Sequence, residues 1–187
     1  MIPLATKHLA IPLIVALSLS GIVGCSRDGQ KLSERDKSES YESPSSPSVD
    51  NSRLSQPFPK ILINGLDGNI VPTDQIFSDR NTVVILISTT CEPCSKEVAR
   101  WKSYAADLSY QYQIIGICFE PVEEVAAYVR ENGINFPVYS EPGGQLVEYF
   151  TVSTYPTIVG VTAQGVVKYI TPGYREGISP QRYLDLF

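Results

Sequence analysis

Two cysteines separated by two residues, Cys91 and Cys94, are the part of the sequence best suited to chemistry. Thiols at this spacing can close a small disulfide ring and reopen it by thiol-disulfide exchange. The first thiol of such a pair, at the start of a helix, is favoured as thiolate by unpaired backbone N–H groups and the positive helix end. We therefore predict that Cys91 attacks a substrate disulfide and that Cys94, one turn inside the helix, resolves the mixed disulfide.

Other roles for this cysteine pair stay open at this point. Half of a zinc site would need a second CxxC or a histidine pair, which the sequence downstream of the leader lacks. A purely structural disulfide would constrain little unfolded-state entropy in so small a ring. A peroxidase site would have proline and threonine where this chain has Val84 and Ser88. These three interpretations are weaker than redox exchange.

The net charge and the histidine content exclude several other classes of function. The 187 residues carry 15 basic and 20 acidic side chains, a formal charge of −5, and therefore lack the positive field that nucleic acid binding requires. The single histidine, His8, falls in the predicted leader, so a histidine base or metal ligand is missing from the mature chain. We expect no nucleic acid partner, no metal and no bound cofactor.

Residues 1–24 are typical of an export signal, with Lys7 followed by an apolar stretch too short to form a permanent membrane span. Ile22-Val23-Gly24-Cys25 resembles the bacterial lipobox, in which cleavage leaves the cysteine as the lipidated first residue. We predict lipidation of Cys25 and a protein anchored to a bacterial membrane, facing the periplasm or cell exterior. Ordinary signal cleavage with an incidental cysteine is the alternative.

Residues 25–56 are predicted to be the lipidated cysteine and a disordered tether. Ten of the 31 residues from Ser26 to Gln56 are serine, and five basic and six acidic charges nearly cancel. So few apolar groups cannot bury a core. We expect the segment to hold the folded domain, residues 57–187, near the membrane.

The domain that must position the cysteines has an alternating α/β pattern. We predict a hairpin turning at Asp67-Gly68, a buried strand from Thr82 to Ser88 directly before the cysteines, and a helix from near Glu92. Val98, Trp101, Ala105, Leu108 and Tyr112 are predicted on one side of that helix. The remaining predictions are strands 113–119, 136–139, 157–162 and 166–171, helices 122–132 and 145–150, and a terminal helix from Ser179 with Pro180 first.

Three segments of this domain carry a family resemblance. They are Ser88 to Glu97 (STTCEPCSKE), Gly133 to Val138 (GINFPV), and Thr154 to Thr157 (TYPT). Together they resemble thioredoxin-fold thiol-disulfide oxidoreductases of the TlpA/ResA type, over essentially all of 57–187. The resemblance implies a mixed central sheet flanked by helices, an N-terminal hairpin and a central insert at about Pro121 to Phe150.

The resemblance also implies roles for residues around the cysteines. Glu97 would lie buried near the thiols and help to move protons, and Pro156 would be a cis proline presenting the Tyr155 backbone to an extended substrate. We expect Thr90, Glu92, Pro93, Tyr155 and Pro156 to contact substrate. Thr90 stands where the family usually has tryptophan, which puts the local docking surface in doubt. Glu92 and Glu97 should both disfavour thiolate and so favour a strong reductant.

Members of this family mostly reduce disulfides of exported proteins, notably apocytochrome c. The resemblance therefore implies disulfide-bearing protein substrates and a membrane electron donor of the DsbD/CcdA kind, and we expect a monomer. A disulfide oxidase or isomerase on the same fold is the alternative. A non-catalytic binding module or metallochaperone is a third hypothesis. Cys118, on an apolar strand, is predicted to be inert core.

Overall fold

The structure is a computed structural model that describes residues 51–187, apart from Ser78, Asp107 and Ser109. The predicted leader, the lipidation site Cys25 and the predicted tether up to residue 50 lie outside the described residues. No helix in the described part of the chain is both long enough and apolar enough to cross a membrane.

The described chain alternates strands and helices in the predicted order. The strands are β1 (Leu62–Gly65), β2 (Ile70–Pro72), β3 (Asn81–Ile87), β4 (Tyr112–Cys118), β5 (Val138–Ser140), β6 (Thr157–Val161) and β7 (Val167–Pro172). The helices are α1 (Glu92–Ala105), α2 (Val122–Asn132), α3 (Gln145–Phe150) and α4 (Gln181–Leu184), with 3-10 turns at Asn51–Arg53 and Thr73–Gln75.

The strands form one seven-stranded mixed sheet in the order β2-β1-β5-β4-β3-β6-β7. β3, β4 and β5 run parallel, whereas β1 is antiparallel to β5 and β6 is antiparallel to β3. β1 and β2 form the predicted N-terminal hairpin, with Gly68 in its turn at a φ of 86° that glycine adopts without strain. The predicted α/β architecture with a mixed central sheet is confirmed.

The central strand β3 supplies both faces of the sheet because its side chains alternate. Val83, Ile85 and Ile87 pack into the cluster shared with α1, α2 and α4, while Val84 and Leu86 pack into the cluster shared with α3. All five are 0% exposed. Burial on both faces explains why the strand is a nearly continuous apolar run.

Helix α1 is shorter than the sequence periodicity predicts. It ends at Ala105, so Leu108 lies beyond the helix and Tyr112 is the first residue of β4. Leu108 and Tyr112 still pack against the same apolar cluster as Val98 and Trp101. The helical spacing therefore continues past the end of the helix because the following turn and strand bury their apolar residues in the same place.

Helix α2 has the predicted bounds, and Gly133 ends it in the left-handed conformation at φ 54°. The terminal helix α4 begins at Gln181, two residues after the predicted start at Ser179, and Pro180 is its N-cap. Tyr183 and Leu184 of α4 are buried against the cluster that also holds Trp101 of α1. The C-terminus thus packs against the helix that carries the two cysteines.

Residues 51–56 make defined contacts with the folded domain. The Ser55 N–H donates to the Val167 carbonyl at 2.8 Å, on β7 at the edge of the sheet. Arg53 donates from Nε to the Tyr149 carbonyl at 2.9 Å, and its guanidinium lies 4.2 Å from the Tyr149 ring centroid. Contacts with the domain therefore begin upstream of Pro57, where the sequence pattern predicts the start of the domain. They also provide hydrogen-bond partners for part of the exposed edge of β7.

Candidate active site

Three segments of the chain meet at one edge of the sheet. The parallel register places Ile87 opposite Cys118, so the chain leaves β3 beside the end of β4. The antiparallel register places Leu86 opposite Thr157, so the residues just before β6 reach the same edge. The carboxyl ends of parallel strands commonly carry the chemistry of open α/β sheets, and this is where α1 begins.

Cys91 and Cys94 form a disulfide, with their Cα atoms 5.2 Å apart. Cys91 is the N-cap of α1, and its Sγ accepts a hydrogen bond from the Cys94 N–H at 3.2 Å. Cys91 is half-buried, whereas Cys94 is 0% exposed. The helix end favours negative charge on the accessible sulfur, and burial shields the other sulfur from direct attack.

The residues predicted to contact substrate lie next to Cys91 in the chain or just before β6. Thr90, Glu92 and Pro93 are exposed, Tyr155 is half-buried and Pro156 is buried. The Tyr155-Pro156 peptide bond is cis, as the resemblance implies. The structure therefore brings these five residues and the two cysteines to the same edge of the sheet.

Glu92 forms an ion pair with Lys96 one turn along α1, with Oε1 and Nζ 2.9 Å apart. The hydrogen bond from Lys96 and the lysine charge lower the pKa of Glu92, which is fully exposed to solvent. Glu92 is therefore ionised, but its negative charge has a cation beside it. The expectation that Glu92 disfavours thiolate rests on its negative charge alone, although the i,i+4 spacing to Lys96 indicates this ion pair.

Glu97 is 0% exposed, as the resemblance implies, and both of its carboxylate oxygens are occupied. The Trp101 indole N–H donates to Oε1 at 2.7 Å, and Arg100 donates to Oε2. Burial raises the pKa of Glu97, while the Arg100 charge and the hydrogen bonds from Arg100 and Trp101 oppose that rise. Glu97 thus belongs to a buried ion pair one helical turn from Cys94.

Glu120 is a site residue that the sequence reasoning missed. Its Oε1 accepts hydrogen bonds from the Ser88 hydroxyl at 2.7 Å and the Thr89 N–H at 3.0 Å, both in the loop before Cys91. Its Oε2 is buried and has no hydrogen-bond partner among the described residues. Its position two residues after β4 could have indicated this role, because the carboxyl ends of neighbouring parallel strands lie at the same edge of the sheet.

An aromatic pair also lies at this edge. The Phe119 and Tyr155 rings have centroids 5.6 Å apart and are tilted by 50°. Both side chains are half-buried, and Phe119 follows β4 directly while Tyr155 precedes the cis proline. Thr90, in contrast, is exposed, and its hydroxyl lies 3.3 Å from that of Ser88. The apolar surface at this edge of the sheet thus includes Phe119 and Tyr155.

Cys118 is a free cysteine at the end of β4 with 0% exposure. Burial, with a smaller contribution from the Glu120 charge, raises the pKa of this thiol to about 12. At neutral pH such a thiol has about a thousandfold less thiolate than an ordinary cysteine. The burial predicted for Cys118 is confirmed, and its thiol is unsuited to exchange. The described residues also contain no cluster of three or more metal-ligating side chains.

Comparison with known proteins gives a consistent family and fold. The model of the AhpC/TSA family matches residues 54–170, which is more than half of the chain. A curated relative, a thioredoxin-like protein from Haemophilus influenzae, is 24% identical over 116 residues, covering 61% of this chain and 67% of the relative.

Solved structures share the fold at low sequence identity. The structure of a putative thiol:disulfide interchange protein DsbE from Chlorobium tepidum aligns with a TM-score of 0.64 and 17% sequence identity. The alignment covers 71% of this chain and 96% of the Chlorobium chain. StoA from Bacillus subtilis aligns with a TM-score of 0.55 and 18% sequence identity, and the alignment covers 76% of this chain and 98% of StoA. The thioredoxin-like fold and the predicted resemblance to the TlpA/ResA type are confirmed.

The three described cysteines should differ in reactivity after reduction. We expect iodoacetamide at pH 8 to alkylate Cys91 first, Cys94 at least about tenfold more slowly, and Cys118 only after unfolding, because accessibility and thiolate content fall in that order. Peptide mapping by mass spectrometry at timed intervals measures this. A Cys118→Ala control should leave the other two rates unchanged, and labelling of Cys118 at the rate of Cys91 would contradict the assignment.

Proposed function

Because the chain belongs to the AhpC/TSA family, we propose that it is a thiol-disulfide oxidoreductase that reduces disulfides of exported proteins while a lipid on Cys25 holds it at a membrane. The observation that carries the proposal is the asymmetric pair at the start of α1. Cys91 is accessible and receives a backbone hydrogen bond, and Cys94 is buried within disulfide-bonding distance.

The reaction follows from this asymmetry. The Cys91 thiolate attacks one sulfur of a substrate disulfide, which breaks that bond and forms a mixed disulfide, and the released substrate sulfur takes up a proton. Cys94 then attacks the Cys91 sulfur and displaces the second substrate sulfur, which leaves with the Cys94 proton. The substrate gains two electrons and two protons, and the enzyme is left with the Cys91–Cys94 disulfide found in the structure.

Substrate docking is supported by the surroundings of Cys91. Thr90, Glu92 and Pro93 are exposed next to Cys91 in the chain, and Tyr155 is half-buried just before β6 at the same edge of the sheet. The Tyr155 backbone N–H and carbonyl form no hydrogen bond with the described part of the chain. An extended peptide can therefore pair with this backbone while its disulfide faces Cys91, in the manner of a short added strand.

The reducing direction needs a supply of electrons, since disulfides persist in exported compartments. The TlpA/ResA resemblance supports a membrane donor of the DsbD/CcdA kind that regenerates the dithiol after each turnover. The same resemblance supports apocytochrome c as one substrate. The protein acts in this scheme as a monomer, with no bound cofactor, and the sulfur chemistry supplies the whole reaction.

The membrane location rests on the sequence of the first quarter of the chain. The lipobox-like Ile22-Val23-Gly24-Cys25 and the serine-rich segment after it support a lipid anchor and a tether. Because Arg53 and Ser55 contact the folded domain, we propose residues 26–50 as the flexible part of the tether. A flexible chain of that length has an r.m.s. span of about 25–30 Å, which holds the domain close to the bilayer.

A Cys94→Ser variant tests the exchange reaction. It should accumulate a mixed disulfide between Cys91 and its substrates, because the attack that releases the substrate is lost. Non-reducing electrophoresis of the full chain from its host, followed by mass spectrometry of the adducts, measures this. A matched Cys91→Ser, Cys94→Ser variant should carry no adduct. Absence of adducts from Cys94→Ser would favour a non-catalytic binding module instead.

A Cys25→Ser variant tests the anchor. We expect it to lose incorporation of a labelled fatty acid and to fall by about tenfold or more in the membrane fraction, because lipid chains provide the membrane affinity. Fractionation and lipid labelling of the full chain measure this. A Cys118→Ser variant should retain both properties, and an unchanged membrane fraction in Cys25→Ser would contradict the anchor.

A further inference from the structure

Arg100, six residues after Cys94 on α1, connects this helix to the C-terminal part of the chain. Its guanidinium donates to the Glu97 carboxylate and to two backbone carbonyls, those of Arg175 at 2.9 Å and Ile178. It also lies 4.9 Å from the centroid of the Tyr174 ring. One side chain thus joins the buried carboxylate of the active-site helix to the segment between β7 and α4.

The Glu97–Arg100 pair is shielded from water. The Glu97 side chain is 0% exposed and that of Arg100 is 15% exposed. A buried carboxylate without a cation is costly, and in practice it takes up a proton instead of staying charged. Arg100 is the only residue of the described chain that forms an ion pair with Glu97. The only positive charge that stabilises the Glu97 carboxylate within the described chain therefore comes from this contact, beside the hydrogen bond from Trp101.

The other titratable groups near Glu97 cannot replace Arg100. From α4, the Tyr183 hydroxyl faces the pair, and its pKa is raised by burial and by the Glu97 charge. Tyr169 of β7 packs 6.4 Å from Tyr183, centroid to centroid, and its pKa is raised by burial. Arg175 affects Tyr183 electrostatically but has no ion pair with Glu97 among the described contacts. A tyrosine side chain is either neutral or negatively charged, so neither tyrosine can supply the positive charge that Arg100 provides.

We propose that Arg100 is a positioning residue for the exchange reaction: it holds the carboxyl group of Glu97 one turn from Cys94 and joins it to the segment around Arg175 and Ile178. The Arg100 charge thereby favours the ionised form of Glu97, against the burial that disfavours it. The inference rests on the proposed reaction at Cys91 and Cys94. In that reaction the Cys94 proton leaves with the displaced substrate sulfur.

An Arg100→Met variant of the full chain tests this. Without the cation we expect the pKa of Glu97 to rise further, because only the hydrogen bond from Trp101 then opposes the effect of burial, so that the protonated carboxyl persists to higher pH than in the wild type. Infrared spectroscopy of the oxidised protein should show a new protonated-carboxyl band that titrates with pH. After reduction, the pH profile of Cys91 alkylation should gain a second step, because thiolate formation becomes coupled to ionisation of Glu97.

Three variants control this experiment. Lys96→Met removes a cation from the same helix without touching Glu97 and should show neither change. Arg100→Lys keeps the charge and should largely restore the wild-type spectrum. Arg100→Met combined with Glu97→Gln should lose both the band and the second step, which assigns them to Glu97. An Arg100→Met protein with no new band and a single alkylation step would overturn the proposal.

Whether these variants fold also distinguishes a role for the Arg100 charge from a purely structural role. If Arg100→Met fails to fold but the double variant with Glu97→Gln folds, the unpaired carboxylate is the cause, which supports the proposal. If both fail to fold, Arg100 is only a structural connector and the proposal is wrong. Because the infrared measurement uses the oxidised protein, it is independent of whether the protein reduces substrates, so failure of the proposed function gives a different result.

Discussion

The pairing of β3 with β4 on one side and β6 on the other determines where every site residue lies. Ile87 opposite Cys118 brings Glu120 to the loop before Cys91, and Leu86 opposite Thr157 brings the Tyr155-Pro156 pair to the same edge. A slip of one residue would turn the buried side chains of β3 to the opposite faces. Because those side chains fill both clusters of the core, the packing that stabilises the fold also fixes the geometry of the site.

At that edge, the charges and backbone dipoles of α1 make the two sulfur atoms differ in reactivity. The backbone N–H of Cys94 favours negative charge on Cys91, while Glu92 and Glu97 add negative charge close by, each with its own cation. The exposed Glu92–Lys96 pair contributes little, since solvent screens it. The buried Glu97–Arg100 pair is different, because no solvent replaces the cation if it is removed. The thiol chemistry therefore depends more on the interior face of α1 than on its surface.

The sequence predicts the features that local chemistry determines. The apolar run of β3, the Gly133 end of α2 and the cysteine spacing at the start of α1 are all local, and the structure has each of them. Features that depend on tertiary contacts were missed. Leu108 and Tyr112 keep a helical spacing outside the helix, and the Ser55 N–H donates to the Val167 carbonyl of β7. The contacts of Arg100 with Arg175 and Ile178, and of Glu120 with Ser88 and Thr89, join segments far apart in sequence, so helical spacing alone could not predict them.

The proposed reaction requires that Cys91 and Cys94 form a reducing dithiol. The most direct measurement is the equilibrium between their dithiol and disulfide forms in defined thiol buffers, read by alkylation and mass spectrometry. We expect a reduction potential below about −250 mV, in the range of reductases of this fold. A potential near about −120 mV would indicate an oxidase. A pair that does not interconvert in any buffer would contradict the claim altogether.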